Sequence, residues 1–191
     1  MSTIIVAPHP TLRQKAQPVK MLDAKIKKLI SDLGQTLAAT HNPPGVGLAA
    51  PQIDKSWQIF YTYLPDPKTK RQKLKVYINP QILDHAQELI LGEKPKDKEP
   101  RLEGCLSIPK LYGAVPRYSW IDLRYQQIQN DQLVEERARF YDFEARVIQH
   151  EHDHLNGILF TDHSVVNRLK VWRELPSGKM EEVDPEILKI L

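Results

Sequence analysis

Over the first forty residues the apolar positions keep a helical rhythm. Leu22, Ile26, Leu29, Ile30, Leu33 and Leu37 recur three or four apart, with Lys25, Lys27, Lys28 and Asp32 between them. That spacing predicts an amphipathic helix from about Leu22 to Thr40. Asn42-Pro43-Pro44-Gly45 stops it. Gln58 to Tyr63 is aromatic and β-branched and reads as a strand, closed by a turn at Pro65-Asp66-Pro67. Lys73 to Ile78 and Gln81 to Leu91 read as two further strands. Trp120 to Gln126 sets Ile121, Leu123 and Tyr125 against Asp122, Arg124 and Gln126, the alternation of a half-buried strand. Asn130-Asp131 signals a turn, and Leu133 to Tyr141 returns as the hairpin's second arm. Asp142 is placed to cap a helix running to about Asn156, with Gly157 as its stop. After Asn167 the pattern weakens, and Pro185 to Leu191 reads as a short terminal helix. Strands in the middle with helices at both ends predict an α+β domain.

Composition narrows the class. The chain has 191 residues, enough for one domain. A net charge of +3, evenly spread, argues against nucleic-acid binding. Gly92 to Arg101 holds seven charged residues and two prolines, the composition of a solvated loop. The early apolar run Ile4-Ile5-Val6-Ala7 is too short for a signal peptide, and no stretch approaches the roughly 20 apolar residues of a membrane helix. One cysteine excludes an intrachain disulfide. A cytoplasmic protein is therefore expected.

Candidate chemistry lies in three segments. His150-Glu151-His152-Asp153-His154 contains HExxH on an independently predicted helix. Residues i and i+4 stand roughly 40° apart on such a helix, so His150 and His154 converge on one metal. Glu151 sits one step round, within reach of a water there. His152, at about 200° from His150, points away. The competing reading is a solvated polar face that happens to carry histidines. Phe143 and Val147 share the His150 face and read either as core or as the apolar wall of a substrate pocket.

A zinc peptidase would need a third ligand. The extended pattern HExxHxxGxxH has its glycine at Gly157 but Phe160 in the ligand position, and His163 is out of register. Glu174, Glu181, Glu182 and Glu186 remain downstream candidates. Upstream, Glu103-Gly104-Cys105-Leu106-Ser107 offers the only cysteine. Cys105 reads as a small buried hydrophobe, as a nucleophile, or as a ligand completing an open Cys-His-His set. Gly45-Val46-Gly47-Leu48-Ala49-Ala50-Pro51-Gln52 lets backbone approach a ligand closely, and lacks the lysine of a phosphate loop.

Together, Gly45 to Gln52, Glu103 to Ser107 and His150 to His154 resemble the motifs GxGxAAxQ, EGCxS and HExDH of the peptide deformylase family. The resemblance spans roughly residues 1–163. It implies the α+β deformylase fold, antiparallel strands around a central HExxH helix, with residues 1–167 as catalytic domain and 168–191 as a C-terminal tail. It implies removal of the N-formyl group from the initiator methionine of nascent polypeptides. Cys105, His150 and His154 become the ligands of one divalent metal, Fe(II) natively, with zinc, nickel or cobalt as substitutes. A metal-activated water attacks the formyl carbonyl. Glu151 is the general base and acid, and the Gln52 amide and Leu106 backbone N–H stabilise the oxyanion. Gly45, Val46 and Gly47, with Glu103, Phe143 and Val147, become substrate-binding residues. Formyl-methionyl peptides are the expected substrates and the ribosome exit region a partner. A monomer without membrane or nucleic-acid contacts is expected. Asp153 is expected to form an ion pair with Arg117.

Three departures from the family pattern stand out. Proline at position 51 is unusual only locally and leaves Gln52 intact. The charged loop lengthens the stretch between Asn79-Pro80 and Glu103, and the tail carries no helix resembling a ribosome-docking one. Two alternatives remain: an HExxH zinc peptidase with another third ligand, and a metal-binding protein without turnover.

Overall fold

The computed structural model describes residues 1–41, 43–66, 69–184 and 188. The predicted stops at Asn42 and Pro67 and, Leu188 apart, the predicted terminal helix Pro185–Leu191 fall outside those residues.

Helix α1 spans Ala24–Ala38, with the Asp23 carboxylate accepting from the Ile26 N–H at its start. Strands β1 (Gly47–Ala49), β2 (Ile59–Pro65), β3 (Gln72–His85), β8 (Trp120–Gln129) and β9 (Gln132–Tyr141) form a five-stranded antiparallel sheet in the order β1-β2-β3-β8-β9. Neighbouring residues on a strand face opposite ways, and the core divides accordingly. Ile59, Ile78 and Leu48 pack with Leu29, Leu33 and Leu37 of α1. Phe60, Tyr77, Tyr125 and Phe140 pack with Ala145 and Ile148 of helix α2 (Asp142–Leu155). The helix carrying HExxH is thus held against one face of the sheet.

A second sheet, in the order β11-β10-β6-β5, joins β5 (Leu102–Cys105) and β6 (Ile108–Ala114) to β10 (Val171–Glu174) and β11 (Met180–Val183). The weakly patterned segment after Asn167 therefore supplies two strands, with Val171 paired to Gly113 and Trp172 to Tyr112. Helix α3 (Phe160–Val166) packs beneath it. A small pair joins β4 (Leu89–Ile90) to β7 (Arg117–Tyr118).

Two local readings need correction. The expected strands Lys73–Ile78 and Gln81–Leu91 are one strand to His85, followed by the separate β4. The chain passes Asn79-Pro80 through a register shift, with Asn79 at φ 51. The Asn79 side chain fixes this bulge by bonding the Val19 N–H and carbonyl and the Gln126 amide. Asp142 does not cap α2; Tyr141 occupies that position without a side-chain bond, and Asp142 turns into the helix at φ 49. Gly157 does stop the helix region, at φ +72, where a Cβ would lie 2.6 Å from the Arg13 carbonyl.

Candidate active site

Cys105 ends β5 at a register shift, after which it pairs with Ile108 across a tight turn. That irregularity, a common device for re-aiming a side chain, sets the thiol facing α2. Its Sγ lies 3.2 Å from His154 Nε2. His150 Nδ1 lies 2.9 Å from Glu103 Oε2, which leaves Nε2 as the free donor. One donor atom each from Cys105, His150 and His154 lies within 4.8 Å of the others. Among the described residues this is the one group of three His, Cys, Asp or Glu side chains so arranged.

The donor chemistry fits a metal. A thiolate and two imidazoles suit several divalent ions, and the surroundings favour the thiolate. Burial pushes the Cys105 thiol up, but the two imidazoles outweigh it and hold it at about 5. His154 Nδ1 and Glu151 Oε2 are buried without hydrogen-bond partners among the described residues. Burial, aided by the Cys105 and Glu103 charges, pushes the Glu151 carboxyl up to about 7 against the opposing pull of both histidines. A Cβ on Gly47 would lie 2.3 Å from Glu151 Oε1, so the β1 backbone reaches that carboxylate only because residue 47 has no side chain.

Gln52 sits in a short helical turn (50–53) directly after β1. Its Oε1 accepts from the Ala49 N–H at 2.8 Å, which fixes the amide orientation. Nε2 then donates towards Cys105 Sγ (3.4 Å) and Ser107 Oγ (3.2 Å). Leu106 occupies the turn after Cys105, its side chain against Gly45. The Gly45 N–H is held by Thr40 Oγ1. Gln52, Leu106, Glu151 and the three donor residues are thereby brought to one place.

Glu103 is the hub behind the site. Arg117 grips both of its carboxylate oxygens at 2.9 Å, and Arg146 Nη1 reaches Oε1 at 2.8 Å. Burial opposes the charge, yet Arg117 and His150 hold the carboxyl well below the ordinary range. Arg117 also donates to Asp153 at 2.5 Å, as the sequence predicted, and His163 meets the same Asp153 oxygen. His152 turns instead to Asn156. Glu174 accepts from the Tyr112 hydroxyl and Glu182 from Lys170, both on the β10–β11 hairpin, while Glu186 lies outside the described residues.

Val147 is buried and Val46 exposed. Phe143 lies under the Arg101 guanidinium, 4.1 Å from ring centroid to carbon, and borders a cavity of about 350 Å³ with Thr62, Leu64 and Glu144. Sequence reasoning missed Arg146 and Arg101. Only the odd placement of an arginine on the buried face of an HExxH helix could have flagged the first.

A buried carboxylate with an unpartnered oxygen, beside a convergent thiolate and two imidazoles, defines a metal-dependent hydrolase. The polypeptide deformylase family model matches residues 1–171. A peptide deformylase of Latilactobacillus sakei is 40% identical over 176 residues, covering 85% of this chain and 89% of that protein. One from Phenylobacterium zucineum is 37% identical, covering 87% and 88%. The crystal structure of peptide deformylase from Thermotoga maritima matches with a TM-score of 0.67 at 36% identity, covering 85% of this chain and 97% of that one. A Met-Ala-Ser-bound class I type b peptide deformylase from Acinetobacter baumannii gives 0.69 at 29%, covering 85% and 98%. The chain belongs to the polypeptide deformylase family, metal-dependent hydrolases that remove the N-formyl group from nascent polypeptides.

Proposed function

We propose that Cys105 Sγ and the Nε2 atoms of His150 and His154 hold one divalent ion, Fe(II) natively, and that the surrounding side chains divide the hydrolysis of formyl-methionyl peptides as follows. The observation that carries this reading is the convergence of three donor atoms within 4.8 Å beside the unpartnered Glu151 oxygen. When bound, a metal in such a site lowers the pKa of water towards neutrality and polarises a carbonyl. Glu151 takes the water's proton and passes it to the leaving amine. A carboxyl pushed up to about 7 suits both tasks near neutral pH. Gln52 Nε2 and the Leu106 N–H donate to the oxygen that gains charge as the formyl carbon becomes tetrahedral.

The peptide lies extended between β1 and β5, the end strands of the two sheets, and adds strand-like bonds near Gly47. Its methionine side chain enters beside Val46, Phe143 and Val147. The thiolate ligand suits a reducing compartment such as the cytoplasm.

Incubating the iron-loaded chain with formyl-Met-Ala-Ser tests the reading. Release of formate with the peptide bonds intact is expected. Free amino acids would point to a peptidase, and no product to a metal-binding protein without turnover.

A further inference from the structure

We propose that Arg146 is a positioning residue that couples the charged segment 90–101 to the metal ligand His150 through Glu103. The inference rests on the metal reading above. Arg146 stands one turn before His150 on α2, and its guanidinium is buried. One edge of it is spent on the site: Nη1 donates to Glu103 Oε1 at 2.8 Å and to the Val115 carbonyl at 3.0 Å. The other edge is spent on the segment: Nη2 meets the carbonyls of Ile90, Leu91 and Gly92, the last at 2.6 Å.

A guanidinium is a rigid plane, so its two edges move together. Displacing the three carbonyls tilts the plane and shifts Glu103, whose second oxygen holds His150 Nδ1. Such outer partners orient a ligating imidazole and tune the metal it holds.

The segment has its own internal clasp. Asp97 Oδ2 accepts from the Glu93 and Lys94 N–H groups at 2.9 and 2.8 Å. The turn is so close that a Cβ on Gly92 would lie 2.4 Å from the Asp97 Cβ. Arg101 closes the far end, its N–H on the Leu91 carbonyl and its guanidinium on Glu93 and Phe143. An exposed clasp at Asp97 is thereby linked through Gly92, Arg146 and Glu103 to a metal ligand.

The full chain loaded with cobalt(II) tests this through two readouts, its visible absorption spectrum and the rate at which a chelator strips the ion. Arg146→Met is expected to speed loss of cobalt about 10- to 100-fold and alter the spectrum. Arg146→Lys is expected to recover part of that loss. Asp97→Ala, an exposed change that leaves every site residue intact, is expected to speed loss several-fold, and it carries the test if Arg146→Met does not fold. Wild-type kinetics and spectrum in Asp97→Ala would overturn the coupling, as would an equal effect from the distant surface change Glu135→Ala. A wild-type chain that takes up no cobalt would remove the metal reading and the coupling with it.

Discussion

Glu103 Oε2 meets His150 Nδ1 at 2.9 Å, and the same carboxylate is gripped by two arginines. The bond fixes which ring nitrogen of His150 is left for the metal. Glu103→Gln keeps the shape and removes the charge that two buried guanidiniums face. Breaking a buried ion pair from one side costs about 3–5 kcal/mol. The variant is expected to lose that much stability in denaturant titration and to bind metal about 10- to 100-fold more weakly.

Glu151→Gln is expected to lower kcat by about 10²- to 10⁴-fold, the usual worth of a positioned general acid-base group. Metal content measured by atomic absorption is expected to stay at the wild-type level, because Glu151 is not among the three donors. Retained turnover would remove it from the mechanism.

Gly47→Ala puts a methyl group 2.3 Å from Glu151 Oε1. One partner must move, and a shift of about 1 Å at a reacting group costs roughly 10²-fold in rate. A fall in kcat with metal content unchanged is the expected outcome in steady-state assays.

Gln52→Ala deletes the amide aimed at Cys105 and Ser107. Loss of one oxyanion donor costs about 2.7–4 kcal/mol of barrier. The expected result is a drop in kcat of about 10²- to 10³-fold, with little change in KM.

Cys105→Ser exchanges a soft thiolate for a hydroxyl that stays protonated. Metal content after dialysis is expected to collapse, and formate release with it. Survival of both would reinstate an HExxH peptidase with another third ligand.

Much of this architecture was legible because its signals are local. The Trp120–Tyr141 hairpin announced itself through strict alternation and through Asn130-Asp131, both of which adopt positive φ. The α1 stripe placed that helix to within two residues at each end. HExxH on a helix and the motif around Cys105 named the donor residues, since spacing alone puts two histidines on one face. The remainder depends on distant partners. Nothing around Val171 or Met180 reveals that these strands extend the sheet carrying Cys105, because β6 lies nearly sixty residues upstream. Pro80 reads locally as the end of a strand, and the bulge that carries the chain past it is secured by Val19 and Gln126. Arg146 shares a helix face with His150, but nothing local shows that the carbonyls of residues 90–92 arrive to meet it.

The β8–β9 hairpin has a consequence for how the protein comes to be. It occupies roughly half of the chain between Cys105 and His150, and it closes on the shortest turn available. Hairpins form in about 1–10 μs. Zipping this one brings its ends, Trp120 and Tyr141, side by side and roughly halves the chain left to close between β5 and α2, a saving of about 0.6 kcal/mol in loop-closure entropy. The two halves of the metal site are thus linked by an element whose own pairing is wholly local and calls on none of the three donor residues.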